Sequence, residues 1–103
     1  MMKEQLETQD IYNLIHSEGI FILYGYAPIC ANCRIAERML KLTQEIHDFE
    51  YTAIDLNYHV DIINDYKITS APALLIFEDG ELKENVYRFE SVTNLLNILE
   101  RHR

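Results

Sequence analysis

The chain has 103 residues, of which 49% are hydrophobic, and its net charge is −8. This length predicts one domain over residues 1–103, with a core that needs neither disulfides nor a structural metal. The acidic balance argues against nucleic acid or an anionic membrane as partner, because both attract a basic surface. No apolar run approaches the roughly 20 residues of a membrane span, and the first residues are polar. We therefore expect a cytoplasmic monomer.

The first half of the chain predicts a helix, a buried strand and a long amphipathic helix. Apolar residues recur at helical spacing within residues 8–17, and Gly19 ends that helix. Residues 20–26 are β-branched and aromatic, with apolar side chains on both faces, as in a central strand. The long helix that follows residue 28 carries an apolar stripe, which we predict to be buried. Its members are Ile35, Met39, Leu42 and Ile46, widened by Ala36 and Leu40.

The second half predicts three more strands and two more helices. Core strands are expected over residues 49–57 and 73–77, separated by a short helix over residues 60–66. The Asp79-Gly80 pair predicts a tight hairpin that leads into a fourth strand over residues 82–89. A last helix over residues 92–101 is expected to bury Leu95, Leu96 and Leu99. This order predicts an α/β fold with a central mixed sheet of about four strands and helices on both faces.

Cys30 and Cys33 lie where the first strand is followed by the long helix. If the helix begins at or just after Cys30, that sulfur lies over free backbone N–H groups and the positive end of the helix dipole, which favour the thiolate. Two intervening residues let the sulfurs meet within one helical turn. We predict that Cys30 attacks a substrate disulfide and that Cys33 resolves the mixed disulfide.

Two other interpretations of the cysteine pair remain open. The cysteines could be two small apolar residues near a helix start, since a lone CxxC occurs by chance. They could also be half of a zinc site, which needs two more ligands. The candidate ligands are His16, His47, His59 and His102. These histidines are scattered without ligand-like spacing, so the sequence favours no metal and calls for no cofactor.

Two segments resemble the thioredoxin family, and the resemblance covers nearly the whole chain. Residues 21–30 (FILYGYAPIC) are similar to the family's strand and the redox motif that follows it. Residues 65–81 (DYKITSAPALLIFEDGE) are similar to its short helix, cis-proline loop, third core strand and hairpin. The resemblance implies a thioredoxin-like fold and thiol–disulfide oxidoreductase activity.

The resemblance also implies where a substrate binds. Pro72 would lie against the cysteine pair, and the Ala71 backbone would pair with an extended substrate segment. Tyr26 and Ile29 occupy positions where the family commonly has tryptophan, and we expect them to contact the substrate as well. The alternative for Pro72 is an ordinary trans proline at the start of a strand.

Departures from the family pattern point to residues that modulate the chemistry. Ala31 and Asn32 replace the family's Gly-Pro between the cysteines, which changes the stiffness and dipole environment of the pair. Tyr24 stands where the family has a buried aspartate, and Ala53 stands where it has the partner lysine. The usual route for moving a proton to or from the second cysteine is therefore missing. Arg34 adds positive charge close to the pair, which favours the thiolate.

The predicted function is reduction or exchange of disulfides in protein substrates. The electrons would come from an unidentified donor, such as a disulfide reductase or a low-molecular-weight thiol. The alternative is a thioredoxin-fold protein-binding module with little redox turnover. Retention of both cysteines favours the enzyme, whereas the missing Asp–Lys pair and the altered dipeptide favour the module or a specialised enzyme.

Overall fold

The computed structural model describes residues 6–102. The elements, in chain order, are α1 (Thr8–Ile15), β1 (Ile20–Tyr26), α2 (Ala31–Ile46), β2 (Thr52–Asp55), a 3-10 turn (Leu56–Tyr58), α3 (Val60–Asp65), β3 (Ala73–Glu78), β4 (Glu81–Val86) and α4 (Val92–Glu100). Among the described residues, no helix is long and apolar enough to cross a membrane. The single domain over residues 1–103 stays a prediction.

The four strands form one mixed sheet in the order β2-β1-β3-β4. β1 pairs with β2 in parallel, and α2 provides the crossover that such a connection requires. β1 and β3 are antiparallel, as are β3 and β4, which are joined by the tight turn at Asp79 and Gly80. Gly80 has a φ of +89°, a backbone conformation that favours glycine. The predicted mixed sheet and hairpin are confirmed.

Helices cover both faces of the sheet, as predicted. On one face, α1 and α3 bury Ile11, Ile15 and Ile62 against the sheet and the 3-10 turn. On the other face, α2 and α4 pack against β1 and β3, and Leu40 and Leu95 lie in that cluster. β1 and β3 are the central strands, so most of their side chains are buried, on both faces of the sheet, which explains their nearly continuous apolar sequence.

The predicted buried stripe of α2 is confirmed at Ala36 and Leu40 and wrong at its other members. Three of its members are exposed, with exposed fractions of 56% for Ile35, 46% for Leu42 and 67% for Ile46, and Met39 is half-buried. The face of α2 that meets the sheet carries Ala36 and Leu40 together with Cys33 and Thr43.

The orientation of α2 follows from the large side chains that already fill the space between this helix and the sheet. Tyr24 of β1 and Phe89, just before α4, are both buried in the cluster under α2, and their rings are 6.2 Å apart between centroids. The small side chain of Ala36 lets the helix lie close to these rings. Thr43 is buried without leaving its hydroxyl unpaired, because this group donates a hydrogen bond to the Met39 carbonyl oxygen at 2.7 Å.

Smaller differences concern the ends of the elements and one leucine. β2 is limited to Thr52–Asp55, while Phe49 packs against the α2 and α4 cluster from outside the strand. α4 buries Ile98 together with Leu95 and Leu99, and leaves Leu96 half-buried. Residues 87–89 lie beyond the end of β4.

Candidate redox site

Cys30 is the N-cap residue of α2. Its backbone is extended, with φ −157° and ψ 97°, and the helix begins at the next residue. The Cys33 N–H donates to the Cys30 Sγ atom, with a distance of 3.2 Å between nitrogen and sulfur. The sulfur therefore occupies the place where an N-cap side chain normally accepts a hydrogen bond from the first turn of the helix. An acceptor in this position is stabilised further when it carries negative charge.

The two cysteines form a disulfide and differ in exposure. Their Cα atoms are 5.3 Å apart. Cys33 is buried, with only 3% of its surface exposed, whereas Cys30 is half-buried. An approaching thiol or disulfide therefore reaches the first sulfur and not the second.

Tyr24 lies beneath the buried cysteine. Its hydroxyl donates to the Cys33 carbonyl at 3.1 Å, and it also lies within hydrogen-bond distance of the Glu37 carboxylate, at 3.3 Å. Burial raises the pKa of Tyr24 well above its usual value, and the negative charge of Glu37 adds to this shift. The phenol stays protonated at neutral pH and acts as a hydrogen-bond donor.

A groove of about 530 Å³ opens beside the cysteine pair. The peptide bond between Ala71 and Pro72 is cis, and both residues line this groove just before β3 begins. Asn32 lines it from between the two cysteines. The remaining apolar lining includes Ile35, Met39 and Phe89. The groove is therefore bordered by the residue between the two cysteines, by the proline loop and by apolar side chains of α2.

The other predicted site residues lie outside the groove. Tyr26 packs against Tyr24, with ring centroids 6.1 Å apart. Ile29 is 97% exposed in the loop before α2, directly preceding Cys30. Ala31 and Arg34 are exposed on the first turns of α2, and Arg34 has no salt bridge to any residue of the described part of the chain.

Sequence reasoning misses several residues near the cysteines. The helical pattern assigns Glu37 to the polar face of the long helix, yet it is half-buried beside Tyr24. The available signal is its position four residues after Cys33, which places both residues on one face of the helix. Met39 and Phe89 in the groove give no such signal, because the sequence pattern alone indicates a structural role for both.

The histidines are not gathered at the cysteine pair. Within residues 6–102, no three His, Cys, Asp or Glu side chains are grouped as ligands of a metal ion. His59 is buried, and its Nδ1 atom lies 2.9 Å from the Thr8 hydroxyl, while His102 lies 2.6 Å from the Glu84 carboxylate.

Comparisons with known proteins agree with this geometry. The family model "Thioredoxin" matches residues 3–101. The chain is 33% identical to the "Thioredoxin-like protein YusE" of Bacillus subtilis (strain 168), over 96% of this chain and 92% of that protein. It is 29% identical to "Thioredoxin" of the same strain, over 92% and 93% of the two chains.

Solved thioredoxin structures share the fold. That of a mutant thioredoxin from Halobacterium salinarum NRC-1 superposes with a TM-score of 0.79 at 21% identity, covering 95% of this chain and 86% of that one. The structure of Fasciola hepatica thioredoxin gives 0.78 at 23% identity, covering 99% and 100%. The chain belongs to the thioredoxin family. With both cysteines of the CxxC pair in place, its general class is thiol–disulfide oxidoreductase.

Proposed function

We propose that the chain reduces or exchanges disulfides in protein substrates, with Cys30 as the attacking and Cys33 as the resolving cysteine. The observation that carries this proposal is the difference between the two sulfurs. Cys30 is accessible and its Sγ accepts a hydrogen bond at the N-terminus of α2, whereas Cys33 is buried. A thiolate at a helix N-terminus is the nucleophile of thiol–disulfide exchange.

The reaction has two exchange steps. The Cys30 thiolate attacks one sulfur of the substrate disulfide, which breaks that bond, releases one substrate thiolate and forms a mixed disulfide. The Cys33 thiolate then attacks the Cys30 sulfur and releases the second substrate thiolate. The substrate gains two electrons, and the protein is left with the Cys30–Cys33 disulfide seen in the structure.

The groove supplies the substrate contacts in this proposal. Its apolar lining suits the side chains of an extended segment, and the Ala71 backbone before Pro72 is free to pair with such a segment, since β3 begins only at Ala73. The exposed side chain of Ile29 and the half-buried ring of Tyr26 add to this contact in the proposal.

The remaining assignments of this proposal concern modulation and electron supply. Ala31 and Asn32 set the stiffness of the turn between the sulfurs, and the positive charge of Arg34 favours the Cys30 thiolate. Tyr24 fixes the first turn of α2 through its bond to the Cys33 carbonyl. The electrons that regenerate the dithiol come from a disulfide reductase or a low-molecular-weight thiol. We expect the protein to act as a monomer in the cytoplasm.

Reduction of insulin by dithiothreitol tests the proposal. The native chain is expected to accelerate insulin precipitation, and Cys30→Ser is expected to lose this effect. Cys33→Ser keeps the attacking sulfur and removes the resolving one, so it is expected to accumulate a mixed disulfide with the substrate. Equal rates for the native chain and Cys30→Ser would favour the second candidate, a binding module that uses the same groove without turnover.

The direction of electron flow is decided by equilibration of the dithiol with a series of glutathione redox ratios. A reduction potential near the strongly reducing end of the family range indicates a reductase, and a clearly higher value indicates an exchange or oxidising role. The same series measured on Arg34→Gln tests the contribution of that charge. Its removal is expected to disfavour the thiolate and lower the potential.

A further inference from the structure

The resolving step needs a group that takes a proton from Cys33. Only the thiolate attacks a disulfide sulfur, and a thiol buried in apolar surroundings holds its proton more tightly. Cys33 is buried, and the side chain that reaches its carbonyl from the sheet is the phenol of Tyr24. Tyr24 is a donor in this network and does not take the proton.

We propose that Glu37 is the proton acceptor for Cys33, held in place by the Tyr24 hydroxyl; this inference rests on the proposed function. Glu37 follows Cys33 by four residues in α2, so the two side chains are neighbours on one face of the helix. Helix side chains lean toward the N-terminus, which directs the Glu37 side chain back toward Cys33.

Tyr24 links the two residues directly. One hydroxyl lies 3.1 Å from the Cys33 carbonyl oxygen and 3.3 Å from the Glu37 carboxylate, so it fixes the acid at the turn of α2 that contains the resolving cysteine. Glu37 is half-buried, and the Tyr24 ring beneath it is 1% exposed. The carboxylate is therefore held by a side chain that has no room to move away.

The network accommodates the added proton without moving a heavy atom. A tyrosine hydroxyl has one proton to donate and can also accept a hydrogen bond. When Glu37 is ionised, Tyr24 has two acceptors, Glu37 and the Cys33 carbonyl. When Glu37 is protonated, it donates to the Tyr24 oxygen, and Tyr24 donates to the Cys33 carbonyl. Both protonation states are satisfied by hydrogen bonds.

Three phenols of the sheet side lie around Glu37. Tyr24 and Tyr26 approach from β1 and Tyr51 from the residue before β2; burial raises the pKa of all three phenols, so none of them is charged. The charge of Asp55, on β2, acts on Tyr26 as well.

The charged neighbours of Glu37 on its own helix are Arg34, three residues before it, Arg38, which follows it directly, and Lys41, four residues after it. All three are exposed. In the part of the chain that the structure describes, neither Glu37 nor any of these three bases takes part in a salt bridge. No salt bridge to a base therefore occupies the Glu37 carboxylate in the described part of the chain.

The proton and the electrons balance in the resolving step. The Cys33 thiol gives its proton to the Glu37 carboxylate, and the resulting thiolate attacks the Cys30 sulfur of the mixed disulfide. The bond between Cys30 and the substrate sulfur breaks, and the substrate leaves as a thiolate. Protonated Glu37 then returns its proton to the departing thiolate or to water.

A two-phase reaction with a chromogenic disulfide isolates this step. Reduced protein is mixed in a stopped-flow instrument with a stoichiometric amount of 5,5′-dithiobis(2-nitrobenzoate). The first thiolate released reports attack by Cys30, and the second reports resolution by Cys33. In Glu37→Gln the second phase is expected to slow roughly 100-fold near neutral pH, the low end of what an acid–base group contributes. The first phase is expected to stay within about twofold of the native rate.

Two further variants test whether the slower second phase reflects lost proton transfer, and not a change in net charge or in structure. Glu45→Gln removes one negative charge from an exposed position of the same helix and is expected to leave both phases unchanged. Glu37→Asp keeps a carboxylate. The rate of its second phase is therefore expected to change with pH in one step, as in the native chain, whereas Glu37→Gln is expected to lose this step.

The outcome that overturns the inference is a second phase in Glu37→Gln with the rate and pH profile of Glu45→Gln. A second phase in Glu37→Asp that has lost its pH step as fully as in Glu37→Gln would also overturn it. Failure of the proposed function appears elsewhere, as absent insulin reduction by the native chain, and is therefore distinguishable.

Discussion

The orientation of α2 leads to a stability prediction with a matched control on the same helix. Leu40 is 1% exposed and packs in the cluster between α2, α4 and the sheet, whereas Leu42 is 46% exposed. Leu40→Ala removes a fully buried side chain and leaves a cavity, which costs about 2–5 kcal/mol of the free energy of unfolding. Leu42→Ala makes the same chemical change without an enclosed cavity, and it is expected to cost less than about 1 kcal/mol.

Urea and thermal unfolding followed by far-ultraviolet circular dichroism measure both variants. A loss of about 3 kcal/mol corresponds to a fall in Tm of roughly 12–24 °C for a domain of this size. Both variants are expected to keep the native rate of insulin reduction at temperatures where they are folded. A loss for Leu42→Ala that equals or exceeds that of Leu40→Ala would mean that Leu42, and not Leu40, faces the sheet. The described orientation of α2 would then be wrong.

Three further predictions concern a histidine, a helix cap and a glycine. Burial lowers the pKa of His59, so the unfolded chain binds a proton at this residue more readily than the folded chain. The contribution of His59 to the free energy of unfolding is therefore fully present above the pKa of the unfolded chain, about 6.5, and is lost as the pH falls from there toward the lowered pKa of the folded chain. Urea unfolding at about pH 7.5 and 5.5 is expected to show a larger loss for the native chain than for His59→Gln, and equal losses would contradict this. Ser91 caps α4, and Ser91→Ala is expected to cost about 1 kcal/mol, against a few tenths for Ser91→Asp in the same unfolding assay. Gly25→Ala would place a Cβ atom 2.7 Å from Leu56 Cδ2, and the crowding is expected to cost about 1–3 kcal/mol. Adding Leu56→Val should recover part of that loss, and strictly additive losses would refute the contact.

The fold could be predicted because its main signals are local. The apolar run of β1, the Asp79-Gly80 turn and the break before α2 each determine one element without reference to the rest of the chain. The two segments that resemble the thioredoxin family then fix how these elements are arranged. The apolar pattern makes β2 too long because Phe49 is apolar and still lies outside the strand, where it packs against the helical cluster.

The centre of the buried face of α2 could not be predicted because the helix carries two adjacent apolar arcs. One arc contains Ile35, Leu42 and Ile46, and the other contains Ala36 and Leu40. Periodicity favours the arc with larger side chains, Ile35 and its neighbours. The choice between the arcs depends on the Tyr24 ring, which fills the space above the sheet and leaves room only for a small residue such as Ala36. That volume belongs to the packing of two distant segments and is absent from the pattern of either one.

The place of Glu37 escapes prediction for a related reason. A charged residue on an amphipathic helix is assigned to solvent by polarity alone. Here the sheet beneath α2 presents a phenol, and the Tyr24 hydroxyl offers a hydrogen bond that makes partial burial of a carboxylate acceptable. The signal lies in two separate places, the tyrosine on β1 and a glutamate one turn after Cys33, and the two meet only in the folded chain.

The sulfur that accepts the first-turn hydrogen bond of α2 couples helix stability to the redox couple. An anionic sulfur is a stronger acceptor for the Cys33 N–H than a disulfide sulfur, so the start of the helix is held more firmly when the protein carries a thiolate. The thiolate exists only in the reduced protein. By thermodynamic linkage, any stabilisation of the thiolate by the helix therefore also favours the reduced protein over the disulfide form. A firmer helix start therefore makes the protein a weaker electron donor.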